Sequence, residues 1–281
     1  MNQILDVPAP AKLNLFLHVL GRRADGYHTI QSAFVLIDWH DVLHFEKRND
    51  GRIVRQDLGR ELPADDLCVR AARALQSAAG VPSGATISID KRVPDQAGMG
   101  GGSSDAATCL LALNRLWRTG LDRTQLAQLA STLGADVPFF VRGRNAWVEG
   151  VGERITPCAV PSARYLVVKP LQGVSTAALF AHPDLPRDTA PAIISGFAAN
   201  PFGFGRNDLQ VLASESCPSI GRALRALEQI GLRARMTGSG SAVFAWLGPD
   251  ASPTLAAQIP VDVGEARVCT GLEAHPLAEW V

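Results

Sequence analysis

Hydrophobic and polar positions alternate in the stretch PAKLNLFLHVL, residues 10–20, where Leu13, Leu15, Leu17 and Val19 are set against Lys12, Asn14, Phe16 and His18. A period of two predicts a half-buried strand. An Asp25-Gly26 turn signal follows, and SAFVLIDWHDVLHFE (32–46) predicts more strand. The period then lengthens: Leu67, Ala71, Leu75 and Ala79 recur at helical spacing ahead of Gly80 and Pro82, and ATISID (85–90) returns to strand. Two further helical faces follow, Ala106, Leu110, Leu113 and Trp117 up to Gly120, then Leu126, Leu129, Ala130 and Leu133 up to Gly134. Strands are expected over 145–150 and 164–170, and a long loop or short helices over 182–206, which is rich in Pro, Ala and Gly without periodicity. A helix through Ile220, Leu224, Leu227 and Ile230 is closed by Gly231; strand LRARM, the small-residue loop TGSGSA and strand VFAWL come after it. A composition shift near residue 155 divides the chain into 1–154 and 155–281.

Composition changes this picture mainly by exclusion. The 281 residues are 47% hydrophobic, enough for one large core or two ordinary ones. Lys plus Arg is 27 and Asp plus Glu is 27, so no basic excess invites a nucleic-acid backbone. Cys68, Cys109, Cys158, Cys217 and Cys269 show no metal or CxxC spacing and predict reduced thiols in a cytoplasmic protein. No basic segment precedes the first apolar run, and no stretch is long and uncharged enough to cross a membrane.

The stretch AGMGGGSSDAATCLLALNRLW, 97–117, carries the first chemistry. Backbone N–H groups of a glycine-rich turn can converge on one concavity, and a helix opening there adds its dipole, so such a loop binds anions. Gly98, Gly100, Gly101 and Gly102 permit close approach, while Ser103 and Ser104 supply hydroxyls and a helix N-cap. The plain alternative is a mobile loop with an ordinary serine cap, against which the immediate helix weighs. No Gly-Lys pair is present for a Walker A loop, GMGGGS fits the dinucleotide fingerprint poorly, and HRD, DFG and GxSxG are all missing.

Only four of the basic residues are lysine, namely Lys12, Lys47, Lys91 and Lys169. Lys12 sits between apolar neighbours in a strand, where its ammonium must snorkel to water or meet a charged partner. Asp136, just ahead of Pro138, reads equally as a helix N-cap. Neither proves chemistry alone. With the glycine loop they supply what phosphoryl transfer to an alcohol requires: a phosphate cradle, a base, and positive charge where negative charge develops.

The segments PAPAKLNLFLHVLGRRADGYHTI, GMGGGSSDAAT, LGADVPFFV and TGSGSAVFA occur in the order and spacing of the GHMP kinase superfamily, which the chain resembles nearly end to end. The resemblance implies a two-domain α+β fold: an N-terminal domain like domain 2 of ribosomal protein S5, holding ATP, and a C-terminal ferredoxin-like domain on the substrate side. It implies ATP and Mg²⁺ as cofactors, Asp136 as general base, and Lys12 as the cation that orients it. Pro94, Gly98, Met99, Gly100, Gly101, Gly102, Ser103, Ser104 and Lys91 would contact ATP. The AKLNLFL and RADGYH segments resemble the branch whose small-molecule acceptor carries a cytidyl group. In that branch Tyr27 would stack on the base, His28 would read its edge and Phe180 would cover its other face. Asn14, Val151, Gly152 and Thr176 would contact the substrate, and Gly238, Ser239 and Gly240 would form a tight turn abutting the site. The metal ligands are not assigned. Gln96 and Ala97 stand where the family loop has glycines, Asp105 and Asp66 where asparagine is usual, and TGSGSA where TGTGAC is usual. A homoserine- or mevalonate-type acceptor is the alternative inside the family, opposed by the GYH turn because those acceptors have no base to stack. A non-catalytic module holding RNA or protein is the alternative outside it.

Overall fold

Two long strands organise the molecule, seen in a computed structural model that describes residues 1–63, 66–248 and 250–281. β1 (Gln3–Arg22) and β2 (His28–Arg48) pair antiparallel from Gln3↔Glu46 to Arg22↔His28 around the Asp25-Gly26 turn. The half-buried strand expected over 10–20 is instead buried on both faces, because each face is covered by a different core. Its alternation also slips. A register shift between Asn14 and Leu17 turns Phe16 into the same core as Leu13 and Leu15, as an extra residue in one strand of a pair does.

β3 (Ile53–Asp57) crosses over through α1 (Leu67–Ala78) to pair in parallel with β4 (Gly84–Asp90), which lies antiparallel on β2. α2 (Gly101–Trp117), α3 (Arg123–Ser131) and α4 (Val137–Arg142) follow. Ala106, Leu110 and Leu113 of α2 share a buried core with Phe34, Leu36, Leu43 and Phe45 of β2. The intervening residues Val35, Ile37 and Trp39 face a second core with Trp147, Tyr165 and Phe244. β5 (Ala146–Gly150) returns to β2, and β6 (Arg154–Pro157) pairs with β5 across position 155.

β7 (Arg164–Pro170), α5 (Thr176–Ala181), α6 (Ile194–Ala199), α7 (Gln210–Ser216), α8 (Pro218–Gln229), β8 (Ala234–Met236), β9 (Val243–Leu247) and β10 (Gly264–Leu272) complete the chain. α8 lays Ile220, Ala223 and Leu227 on Leu166, Val168 and Val243 in a third core. Among the described residues the sheet order is β3-β4-β2-β10-β7-β9-β8, with β1 and β5 also on β2. β10 joins the two parts, pairing with β7 along seven residues and with β2 at Gly271 and Leu272. The last residues then pack on the first part: His275 N–H donates to Gly143 O at 2.9 Å, and Leu277 is buried in the first core. All five cysteines are free thiols, and no described helix is long and apolar enough to cross a membrane.

Candidate active site

The glycine run is itself the start of a helix. α2 begins at Gly101, with Gly100 as N-cap in the left-handed region (φ 70°, ψ 20°) and no side-chain cap. The expected serine N-cap is therefore corrected: Ser103 and Ser104 lie inside the first turn, and Ser104 N–H donates to Gly100 O at 2.9 Å. The amides of Gly101, Gly102 and Ser103 precede that first intrahelical bond and are left as donors at the positive end of the dipole. Gly98 also has φ 70°, and a Cβ there would meet Thr237 O at 2.2 Å. The TGSGSA turn thus packs backbone against backbone on the glycine loop. At Gly100 a Cβ would press on the Phe140 ring at 3.0 Å, whereas at Gly102 it would meet nothing within 4 Å. Gln96 keeps a glycine-like φ of 49°.

Lys12 does not snorkel. Its side chain is 4% exposed, and Nζ donates to Asn14 Oδ1 at 2.5 Å and Gly98 O at 3.1 Å, lies 3.6 Å from Asp136 Oδ2 and sits 4.6 Å over the Phe34 ring. Burial lowers its pKa, while the Asp136 charge opposes that shift. Ser32 Oγ donates to Phe16 O and accepts from Asn14 Nδ2 at 2.8 Å, so the Asn14 carbonyl oxygen is the end left for Lys12. Asp136 is the residue before α4, yet its backbone is helical (φ −85°, ψ −17°) and its side chain makes no capping bond. Its carboxylate is 31% exposed, held by Lys12 and open to the site.

One cavity of about 990 Å³ joins these parts. Its lining includes Lys12, Asn14, Tyr27, His28, Pro94, Gly98, Met99, Gly100, Gly101, Gly102, Ser103, Asp136, Val151, Thr176, Phe180, Gly238, Ser239 and Gly240. Three expected contacts lie outside it. Ser104 is fully buried with no partner for Oγ, and Gly152 packs behind Val151 on Ala135. Lys91 is buried beneath the loop, where Nζ bonds Asp41 and, at 2.6 Å, Asp105. Burial opposes the Lys91 charge, but its contacts with Asp105 and Asp41 outweigh it and raise its pKa. Asp41 Oδ1 also accepts the Arg92 and Val93 amides at 2.6 and 2.7 Å, anchoring the lead into the loop. Asp66 caps α1 at Val69 N–H and pairs with Arg55, away from the cavity lining.

At the far end Tyr27 is 67% exposed, and the buried His28 ring lies 5.1 Å from Phe180 at 34°. Burial lowers the His28 pKa, and Arg187 and Arg22 add to the shift. Thr176 and Ser239 hydroxyls are 2.6 Å apart, tying the start of α5 to the TGSGSA turn. The sequence reading missed Ser32, Asp41, Thr237 and Arg187. The first three lie beside residues it did identify; Arg187 falls in a segment without periodicity and carries no local signal.

The arrangement can hold a polyphosphate on helix amides, set a carboxylate beside a buried ammonium, and seat a flat ring near Tyr27 and Phe180. Residues 66–144 match the GHMP kinases N terminal domain and 191–263 the GHMP kinases C terminal domain. The chain belongs to the GHMP kinase family. A relative from Polaromonas sp. is 58% identical over 100% of this chain and 95% of its own length; it is a 4-diphosphocytidyl-2-C-methyl-D-erythritol kinase. A crystal structure of 4-(cytidine 5'-diphospho)-2C-methyl-D-erythritol kinase is 37% identical, covers 95% of this chain and 99% of its own, and superposes with a TM-score of 0.78. Homoserine kinase from Cytophaga hutchinsonii shares the fold at 16% identity, covering 98% of this chain and 96% of its own, with a TM-score of 0.71.

Proposed function

We infer that this chain is a 4-diphosphocytidyl-2-C-methyl-D-erythritol kinase, transferring the γ-phosphoryl group of ATP to the 2-hydroxyl of the methylerythritol unit in isoprenoid precursor biosynthesis. The observation that carries the reading is the single cavity in which the glycine loop, the Lys12–Asp136 contact and the Tyr27/Phe180 end meet. The amides of Gly101, Gly102 and Ser103 bind phosphate oxygens, with Gly102 giving the open approach. Asp136 takes the proton of the substrate hydroxyl. Lys12, fixed by Asn14 and Gly98, orients that carboxylate and stabilises the developing alkoxide.

The donor set fits Mg²⁺ carried with the nucleotide. Among the described residues no group of three or more His, Cys, Asp or Glu side chains could hold a metal, and Mg²⁺ is ordinarily held by one or two carboxylates plus phosphate oxygens and waters. Ser103, Asp95 and Asp136 line the cavity and are side chains that would supply oxygens to such an ion, whose charge would offset that of the phosphates. In this reading 1–154 supplies the nucleotide and catalytic groups and 155–281 the Thr176, Phe180 and Ser239 side. The free thiols support a reducing, cytoplasmic setting.

An ATP-consumption assay offering 4-diphosphocytidyl-2-C-methyl-D-erythritol, homoserine and mevalonate in parallel tests the function. Turnover with the cytidyl compound alone is expected; preference for either of the others would overturn the substrate assignment.

A further inference from the structure

Arg187 lies in the connection between α5 and α6, and all of its donors are committed locally. Its Nη atoms donate to the carbonyls of Phe180 (3.5 Å), His182 (2.7 Å), Pro183 (3.1 Å) and Leu185 (3.3 Å), tying down the chain that leaves α5. Its Nε–H donates to His28 Nε2 at 3.2 Å. Guanidinium groups are donors only. The bond therefore requires a lone pair on His28 Nε2, and the proton of the neutral ring resides on Nδ1. Nδ1 has no partner among the described residues, and His28 lines the cavity beside Tyr27 and Phe180.

We propose that Arg187 is a positioning residue for base selection: by holding His28 as the Nδ1–H tautomer, it makes the site present a donor to an unprotonated ring nitrogen of the base, which cytosine has and uracil lacks. The same guanidinium fixes the Phe180 end of α5, so ring orientation and the apolar wall are set by one side chain. The burial and neighbouring cations that disfavour the imidazolium are consistent with this, since a protonated ring would put two donors face to face. The inference rests on the cytidyl reading of the site.

Two measurements test it. Nitrogen-15 spectra of the His28 imidazole in the unmodified enzyme report the tautomer directly: a protonated Nδ1 is expected, and a protonated Nε2 would overturn the proposal whatever the variants do. Steady-state kinetics then compare the cytidyl substrate with its uridyl counterpart in the unmodified enzyme, Arg187→Met and Arg187→Lys. In Arg187→Met the KM for the cytidyl substrate should rise about tenfold, the scale of one lost charge-assisted hydrogen bond, with kcat changing much less and the KM for ATP unchanged. The cytidyl/uridyl preference should fall with it, and Arg187→Lys should recover part of both. A raised KM with the preference intact would reduce Arg187 to a structural brace and overturn the proposal. Turnover of neither pyrimidine compound by the unmodified enzyme would overturn the cytidyl reading itself, a failure distinct from an unaltered preference.

Discussion

Lys12 shows how a single side chain acquires a function from its surroundings. An exposed lysine on a strand edge is ordinary, but this one is buried, faces a carboxylate and an amide oxygen, and rests over an aromatic ring. Burial lowers its pKa, so its charge is lost at a lower pH than an ordinary lysine loses it, near 10.4. In the proposed mechanism the charged form is the working one, so activity should be present below the lowered pKa and disappear as pH rises through it. The alkaline limb of kcat/KM should therefore lie below the ordinary lysine range and be absent from the residual activity of Lys12→Arg, whose guanidinium stays charged. A limb unchanged in Lys12→Arg would show that another group titrates there.

The glycine loop is best judged as an element, since its glycines do different work. Gly98 lets the loop touch the TGSGSA turn backbone to backbone; Gly102 lines open space at the start of α2. Gly98→Ala should destabilise the fold by at least about 2 kcal/mol, through left-handed strain and a carbonyl clash, read as a thermal shift of several degrees. Gly102→Ala should leave Tm unchanged or slightly raised, because alanine favours helix, yet raise the KM for ATP. Equal effects of both on Tm would refute this division. The glycine spacing and following helical face were legible in the sequence, as were α1, β4, β7, α8 and β9, because each has a clean period or a turn signal at its end. The N-cap was misread because serine is a common cap, and only the backbone dihedrals reveal that Gly100 already occupies the place. The two-sided burial of β1 was equally invisible, since the helices and strands covering its two faces come from distant parts of the chain.

At the scale of the whole molecule the site depends on a sheet that runs through both parts. β10, for which the sequence gives no warning, pairs with β2 and β7, and the residues after it seal the first core through Leu277. Leu277→Ala should cost about 2–4 kcal/mol and, by loosening the packing near α4, lower kcat as well as Tm; a neutral thermal melt would contradict that role. The Lys12–Asp136 contact was legible only through the family motifs, because the residues are far apart in sequence and each has an ordinary structural reading alone. Arg187 was not legible at all, since nothing local marks an arginine whose partner lies 159 residues away. The central claim, that Asp136 acts on the alcohol of a bound cytidyl substrate, is tested most directly by Asp136→Asn. Turnover and substrate dissociation constant should be measured on the same preparation. The account predicts kcat lower by about 10²–10⁴ with the dissociation constant changed by no more than a few-fold; retained turnover, or binding lost in parallel with it, would contradict the assignment.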